Sequence, residues 1–204
     1  MNEPQVFLDV DTQVDFMLPT GSLYVPGAET IIPNLKKLMD YAREQGIPVL
    51  SSADAHAPDD PSFAEWPPHC VVGTPGQRRI VETQWPNARV IPNRAGAFVP
   101  TSGIAGQTIV EKQAYDMTTN LNFEAILEAV GTRRFVAFGV ATDYCVRVSV
   151  LSLRRRGKPV DVVVDAIRTI SDEGGKKAVE EMVSAGARLV TTEEVAAPAR
   201  IPAG

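Results

Sequence analysis

Apolar positions recur along this chain in two rhythms, and their alternation predicts the architecture. Short apolar or β-branched runs stand at Val6 to Val10, Ile47 to Ser51, Arg89 to Ile91, Thr108 to Lys112, Arg134 to Phe138, Val160 to Val164 and Arg188 to Val190. Each has the length of a strand. Between them the spacing widens to the helical period. Ile31, Leu35, Leu38, Met39 and Ala42 share one face of a helix predicted over Ile31 to Gln45 and closed by Gly46. Further helices are predicted from Asn122 to Val130, from Thr142 or Asp143 to Arg156, and from Ser171 to Ala185, with Gly131, Gly157 and Gly186 as their stops. Asp11 to Gly27 is turn-rich. Strands alternating with helices imply an α/β fold, three layers deep, around a mostly parallel central sheet. The continuous run Val162-Val163-Val164 suits a strand covered on both faces.

That topology changes how the polar residues read. Right-handed crossovers bring the carboxyl ends of parallel strands to one rim, and ligands bind beyond it. Asp11 follows the first strand, Asp54 and His56 the second, Lys112 ends the Thr108 strand, and Cys145 follows the Arg134 strand. Residues distant in sequence are therefore expected together on that rim.

Composition narrows the class. A chain of 204 residues, 44% hydrophobic and 22% charged, fits one soluble domain spanning 1–204. The net charge of −5 argues against general affinity for nucleic acid or an anionic membrane. Two cysteines make no disulfide framework, and MNEPQVFLDV lacks the basic and apolar regions of a signal peptide. A cytoplasmic protein with no membrane span is expected. The Pro- and Gly-containing stretch from Ala57 to Pro100 holds Trp66, Trp85 and Phe98, so it is expected to be an elaborated loop region rather than a linker.

Candidate chemistry comes with bland alternatives. Cys145 is expected in the first turn of a helix, where free N–H groups and the macrodipole favour a thiolate and can hold an oxyanion. A buried cysteine is also ordinary core filler. In LDVDTQVDF three acids, Asp9, Asp11 and Asp15, compete, and spacing does not choose among them. Lys112 is either a solvated charge or a cation pointing into the crevice. The chain's only two histidines, His56 and His69, both fall in ADAHAPDDPSFAEWPPHC. With Asp54 they offer two nitrogens and a carboxylate, a set suited to Zn, Fe or Mn with positions left open. Asp59, Asp60 and Cys70 lie close by.

Taken together, DTQVDF (Asp11 to Phe16), DAH, WPPHCVVGTPG (Trp66 to Gly76) and GVATDYCV (Gly139 to Val146) resemble the cysteine hydrolases of the nicotinamidase and isochorismatase-like superfamily. The resemblance runs from Val6 to about Val190, in the family's order, and is closest to nicotinamidases. It implies Asp11, Lys112 and Cys145 as the catalytic group. It implies one divalent metal ion on Asp54, His56 and His69, and an oxyanion hole from the N–H groups of Ala141 and Cys145. It further implies a cis bond between Val140 and Ala141, and Phe16 and Trp66 around a flat substrate ring. A dimer or tetramer is implied as well. Two departures concern the substrate: Ala55 stands where nicotinamidases carry a bulkier residue, and KQAYDMTTN lacks their Ser-Tyr-Ser-like segment. Isochorismatases proper lack the nucleophilic cysteine, so Cys145 points away from their vinyl-ether reaction. The expected activity is deamidation of a small carboxamide, nicotinamide first. A C–N hydrolase of carbamoyl or ureido groups is the nearest alternative, and a non-hydrolytic metal-binding or thiol redox protein is a third.

Overall fold

The computed structural model describes residues 3–98 and 103–197. The last two residues of the Ala57–Pro100 stretch lie outside the described residues. Seven strands form one sheet: β1 (Gln5–Val10), β2 (Val49–Asp54), β3 (Arg89–Ile91), β4 (Gln107–Lys112), β5 (Arg134–Val140), β6 (Val160–Arg168) and β7 (Arg188–Val190). Their order is β3-β4-β2-β1-β5-β6-β7, and every pairing is parallel. The helices are α1 (Val14–Met17), α2 (Ile32–Glu44), α3 (Phe123–Val130), α4 (Arg147–Arg155), α5 (Asp172–Ser184) and α6 (Thr192–Val195). None among the described residues is long and apolar enough to cross a membrane.

Period-two alternation along the strands explains the two helical layers. Val6, Leu8 and Val10 of β1, with Phe135 and Ala137 of β5, pack with α3, α4 and Met182 of α5. Phe7, Val136 and Phe138 point to the opposite face, against Leu35, Leu38, Met39 and Ala42 of α2. Ser171 caps α5 by accepting from the Gly174 N–H at 3.1 Å.

Three strands depart from expectation by two residues or more, β5 by running on to Val140. β2 begins at Val49, because Pro48 has no N–H for the ladder, although its carbonyl accepts from Phe7 at 2.9 Å. It continues to Asp54 through two buried serines whose hydroxyls are paired, Ser51 with Asp9 at 3.1 Å and Ser52 with Asp11 at 2.7 Å. β6 likewise runs on to Arg168 rather than stopping at Val164.

Chain order gives the sheet its switch point. From the central β1 the chain moves outward to β2, then to the edge strand β3, and doubles back to β4 between them. It then returns to β5 on the other side of β1. The crevice where winding reverses therefore opens at the carboxyl ends of β1 and β5. Val10 and Gly139 are partners in register there. Gly139 has φ 115°, and a Cβ at that position would overlap the Val10 carbonyl, so the approach of the two strand ends requires glycine.

Asp9 faces the α2 side, next to an arginine that sequence pattern did not single out. Arg79 is buried, ion-paired to Asp9, and donates to the Ser52 carbonyl at 2.9 Å. Burial pushes the Asp9 carboxyl up despite Arg79, so the pair as a whole adds little stability, whereas removing one partner strands the other. Arg79→Met is expected to cost about 3–5 kcal/mol in urea unfolding, with most of the loss recovered in an Asp9→Leu/Arg79→Met double variant. A single variant as stable as wild type contradicts this account.

Candidate active site

The rim collects the expected residues in strand order. Lys112 ends β4, Asp54 ends β2, Asp11 follows β1 and Cys145 follows β5. Asp54 and Lys112 are partners in register. Lys112 is fully buried, its Nζ 2.9 Å from Asp11 Oδ2, ion-paired to Asp54 Oδ1 and 3.6 Å from Cys145 Sγ. One ammonium thus touches both carboxylates and the thiol.

The three acids of LDVDTQVDF separate by partner. Asp9 belongs to Arg79. Asp15 accepts the backbone N–H of Cys70 at 2.7 Å and of Ser22 at 3.0 Å, which holds the histidine-bearing loop against the first turn. Gly76 packs so close to this carboxylate that an added Cβ would overlap it. Asp11, with φ 48°, is left facing Lys112.

Electrostatics split the carboxylates further. Burial raises the Asp11 carboxyl from its ordinary value, against Lys112, and the neighbouring Asp54 adds to the rise. Burial opposes charge on Asp54 too, but Lys112, His56 and His69 outweigh it and hold its carboxyl well below the usual range. Burial would drive Lys112 toward neutrality, yet Asp11 and Asp54 outweigh it and keep the ammonium charged. The Cys145 thiol is pushed well up by burial, with Lys112 opposing. Of the two carboxylates, Asp54 keeps its charge and Asp11 is the one poised to take a proton.

Cys145 sits differently from expectation. Thr142–Val146 forms a wide π-helical turn, and α4 begins only at Arg147. The Ala141 carbonyl accepts from Tyr144 and Val146, each at 3.1 Å, and passes over the Cys145 N–H between them. The Ala141 N–H has no hydrogen-bond partner among the described residues. The Val140–Ala141 peptide is cis, as the resemblance implied. Asp143 ties the turn to the β6–α5 loop by accepting the N–H groups of Ile170 and Ser171, at 3.1 and 3.2 Å.

Asp54, His56 and His69 can hold a divalent metal ion. One ligand atom from each lies within 4.8 Å of the others, and all three residues are buried. His56 Nε2 is 3.6 Å and His69 Nε2 3.8 Å from Asp54 Oδ2, separations that bonds of about 2.0–2.2 Å to a shared ion span. His69 Nδ1 meets the Pro67 carbonyl at 2.8 Å, which makes it the protonated nitrogen and leaves Nε2 free to ligate. His56 Nε2 is buried without a hydrogen-bond partner, an orphan that a cation would satisfy. Asp60 stands behind His56, 2.9 Å from Nδ1, so it faces the ring from behind. Burial works against its charge, but Ser62 and His56 hold its carboxyl down at about 2. Asp59 is exposed, and Cys70 packs into the apolar core near Phe16 with its thiol pushed up by burial.

Gln13 is a further positioning residue that residue pattern alone did not reveal. Its side-chain amide accepts the Asp54 N–H at 2.7 Å and donates to the Asp54 carbonyl at 2.8 Å. A third bond, at 2.8 Å, reaches the Gln77 carbonyl. Its place between Asp11 and Asp15 in an otherwise apolar and acidic motif was the available signal.

Above Cys145 opens a pocket walled largely by apolar side chains. Phe16 and Trp66 both line it, as expected, together with Leu23, Val25, Tyr144 and Ile170. Asp11, Asp54, His69 and Cys145 supply its polar floor, and among the described residues no arginine or lysine lines it.

Residues 5–194 match the isochorismatase domain. The chain belongs to this family. Within the family it is 30% identical over 192 residues to the nicotinamidase/pyrazinamidase of Mycobacterium tuberculosis, covering 89% of this chain and 95% of that one. It also superimposes on the zinc complex of the Pyrococcus horikoshii pyrazinamidase, with TM-score 0.78, 30% identity, and 92% and 99% of the two chains covered. The N-carbamoylsarcosine amidase of Thermoplasma acidophilum is similar as well, with TM-score 0.73, 26% identity, and 93% and 96% covered. Family membership agrees with the α/β sheet and with the order of motifs along the chain.

Proposed function

We propose that this isochorismatase-family chain is a metal-containing cysteine amidohydrolase that converts a small neutral carboxamide, nicotinamide first, to the acid and ammonia. The observation that carries the reading is that Cys145 and Asp11, on the floor of a pocket with apolar walls, both meet the buried Lys112 ammonium beneath them. Similarity to a nicotinamidase/pyrazinamidase and a pyrazinamidase supports it. An N-carbamoyl amino acid carries a carboxylate, and the upper walls of Phe16, Leu23, Val25 and Ile170 offer no cation to one directed away from the floor, which would be desolvated at substantial cost. The pocket therefore favours an uncharged ring over the substrate named for the carbamoylsarcosine amidase.

The proposed chemistry follows from the charges. Asp11 accepts the thiol proton as Cys145 Sγ attacks the amide carbonyl. Lys112 stabilises the thiolate as it forms and keeps Asp11 in place. The N–H groups of Ala141 and Cys145 meet the developing oxyanion, a donor pair in which one member is typically worth about 2.7–4 kcal/mol. Asp11 passes its proton to the departing amine, ammonia leaves, and water then cleaves the thioester to the acid and regenerates the thiol. Phe16 and Trp66 flank the ring. A divalent ion held by Asp54, His56 and His69 would supply Lewis acidity toward a polar atom of the substrate.

Ammonia release from nicotinamide, pyrazinamide and N-carbamoylsarcosine tests the reading. The two aryl amides are expected to be hydrolysed, the carbamoyl compound to be at least about 100-fold slower, given an unpaired charge in an apolar pocket. A chelator that strips the metal is expected to suppress the activity and a divalent ion to restore it. Faster turnover of the carbamoyl compound, or no ammonia from either aryl amide, overturns the assignment.

A further inference from the structure

Asp143 stands in the turn that carries Cys145, at a position suited to capping a helix, but α4 begins only at Arg147. Its carboxylate reaches across to the β6–α5 loop instead. Oδ1 accepts from the Ile170 N–H at 3.1 Å and Oδ2 from the Ser171 N–H at 3.2 Å. Neither N–H has a backbone acceptor among the described residues. The approach is close: a Cβ added at Gly174, in the first turn of α5, would lie 2.8 Å from Asp143 Oδ2.

Ile170 gives this contact its consequence. Its side chain lines the substrate pocket, as do Tyr144 and Cys145, the two residues that follow Asp143 in the turn. One carboxylate thus joins the turn that supplies the attacking sulfur to a wall on which the substrate rests. Among the described residues, the other hydrogen bonds of the Thr169–Ser171 segment stay within it or run to its own helix: the Thr169 hydroxyl donates to the Ser171 carbonyl at 2.8 Å, and the Gly174 N–H to the Ser171 hydroxyl at 3.1 Å. The turn, by contrast, has a second tie to α5. Arg147 donates to the Asp143 carbonyl at 3.2 Å and to Glu181 at 2.8 Å. Losing the Asp143 carboxylate therefore releases the Ile170 wall while the turn stays fastened.

We propose that Asp143 is a positioning residue: it latches the Ile170 wall to the nucleophile's turn and so holds the substrate ring at a fixed distance and angle from Cys145 Sγ. The proposal rests on the amidase reading above. Misplacing reacting groups by about 1 Å costs on the order of 100-fold in rate. A wall that drifts relative to the thiol weakens both the hold on the ring and the alignment of its carboxamide.

The test is a double-mutant cycle on nicotinamide with Asp143→Ala, Ile170→Ala and the pair. Asp143→Ala alone is expected to lower kcat/KM about 10–100-fold, with KM rising as kcat falls. In the Ile170→Ala background, where no wall is left to latch, the same change is expected to cost no more than about 3-fold. Should the alanine variant fail to fold, the cycle is run with Asp143→Asn, which keeps the shape but turns a donor toward one of the two N–H groups; a smaller loss with the same dependence on Ile170 is expected. Alkylation of Cys145 by iodoacetamide, which does not use the wall, is expected to stay within about 3-fold of wild type in Asp143→Ala. An unchanged kcat/KM in Asp143→Ala, or a loss of equal size in both backgrounds, overturns the proposal. So does alkylation that falls in step with turnover, because the effect then lies in the turn itself. Calorimetric titration of nicotinamide into Cys145→Ala and Cys145→Ala/Asp143→Ala reads the wall without the chemistry. Affinity is expected to fall about 10-fold in the second, and equal affinities overturn the latch. A wild type that binds nicotinamide but releases no ammonia overturns the amidase reading alone.

Discussion

Cys145→Ala is expected to lower kcat for nicotinamide by on the order of 10⁶-fold, the scale on which deleting a nucleophile disables a catalytic group acting as a unit. The expected signature is specific. The thiol contributes no ligand to the Asp54, His56 and His69 set, so metal content should remain that of wild type. Cys145 is almost fully buried beside Val146 and Val150, and alanine leaves only a small void there, so the fold should persist. Loss of turnover with intact metal and fold is what separates a nucleophile from core filler. Burst-phase ammonia from wild type, absent in the variant, checks the thioester step directly. Substantial turnover in Cys145→Ala would falsify covalent catalysis at this site.

Asp11→Asn is expected to cost about 10²–10⁴-fold in kcat/KM, the contribution of a positioned proton acceptor removed with its geometry left in place. Asparagine matches the shape of aspartate and can still accept from Ser52 Oγ, now 2.7 Å from Asp11 Oδ1. It cannot take the thiol proton. The structure explains why Asp11 rather than Asp54 serves: burial raises the one while Lys112 and the histidines hold the other low. A redox or purely metal-binding role makes no use of this proton, so such a protein would keep its behaviour in Asp11→Asn. The measurement is steady-state ammonia release alongside metal content and Tm. An activity within about 10-fold of wild type removes Asp11 from the chemistry.

Most of the fold was legible because fully covered parallel strands announce themselves as continuous apolar runs. The runs at Val160 to Val164 and Arg134 to Phe138 mark β6 and β5 and their first residues, though both strands continue further, to Arg168 and Val140. Legibility failed where polar residues fill covered positions. Ser52 and Asp54 extend β2 beyond the expected Ser51, but their burial depends on partners distant in sequence, Asp11 and Lys112, which no local pattern displays. Arg79 was hidden for the same reason: in a Gly- and Pro-containing loop it looks solvated, and only its meeting with Asp9, seventy residues earlier in the chain, makes it structural. Strand-end topology did foresee that Asp11, Lys112 and Cys145 would converge. The wide turn carrying Cys145 was read as an ordinary first helical turn, since apolar spacing does not distinguish bonds four residues apart from bonds five apart.

The Gln13 amide makes to Asp54 the pair of bonds that a neighbouring strand would make. It extends the β1–β2 ladder by one rung beyond the point where the backbones part, so the proton acceptor and the metal-facing carboxylate stand on continuous sheet. Trp66 and Tyr115, which line the pocket above, stand on loops and are joined by a hydrogen bond between their side chains. Reaction and selectivity are therefore built on separate mechanical footings. The upper wall can be rebuilt by changes in two loops while the stitched floor beneath it is left alone, and one reaction centre can serve a range of acyl groups.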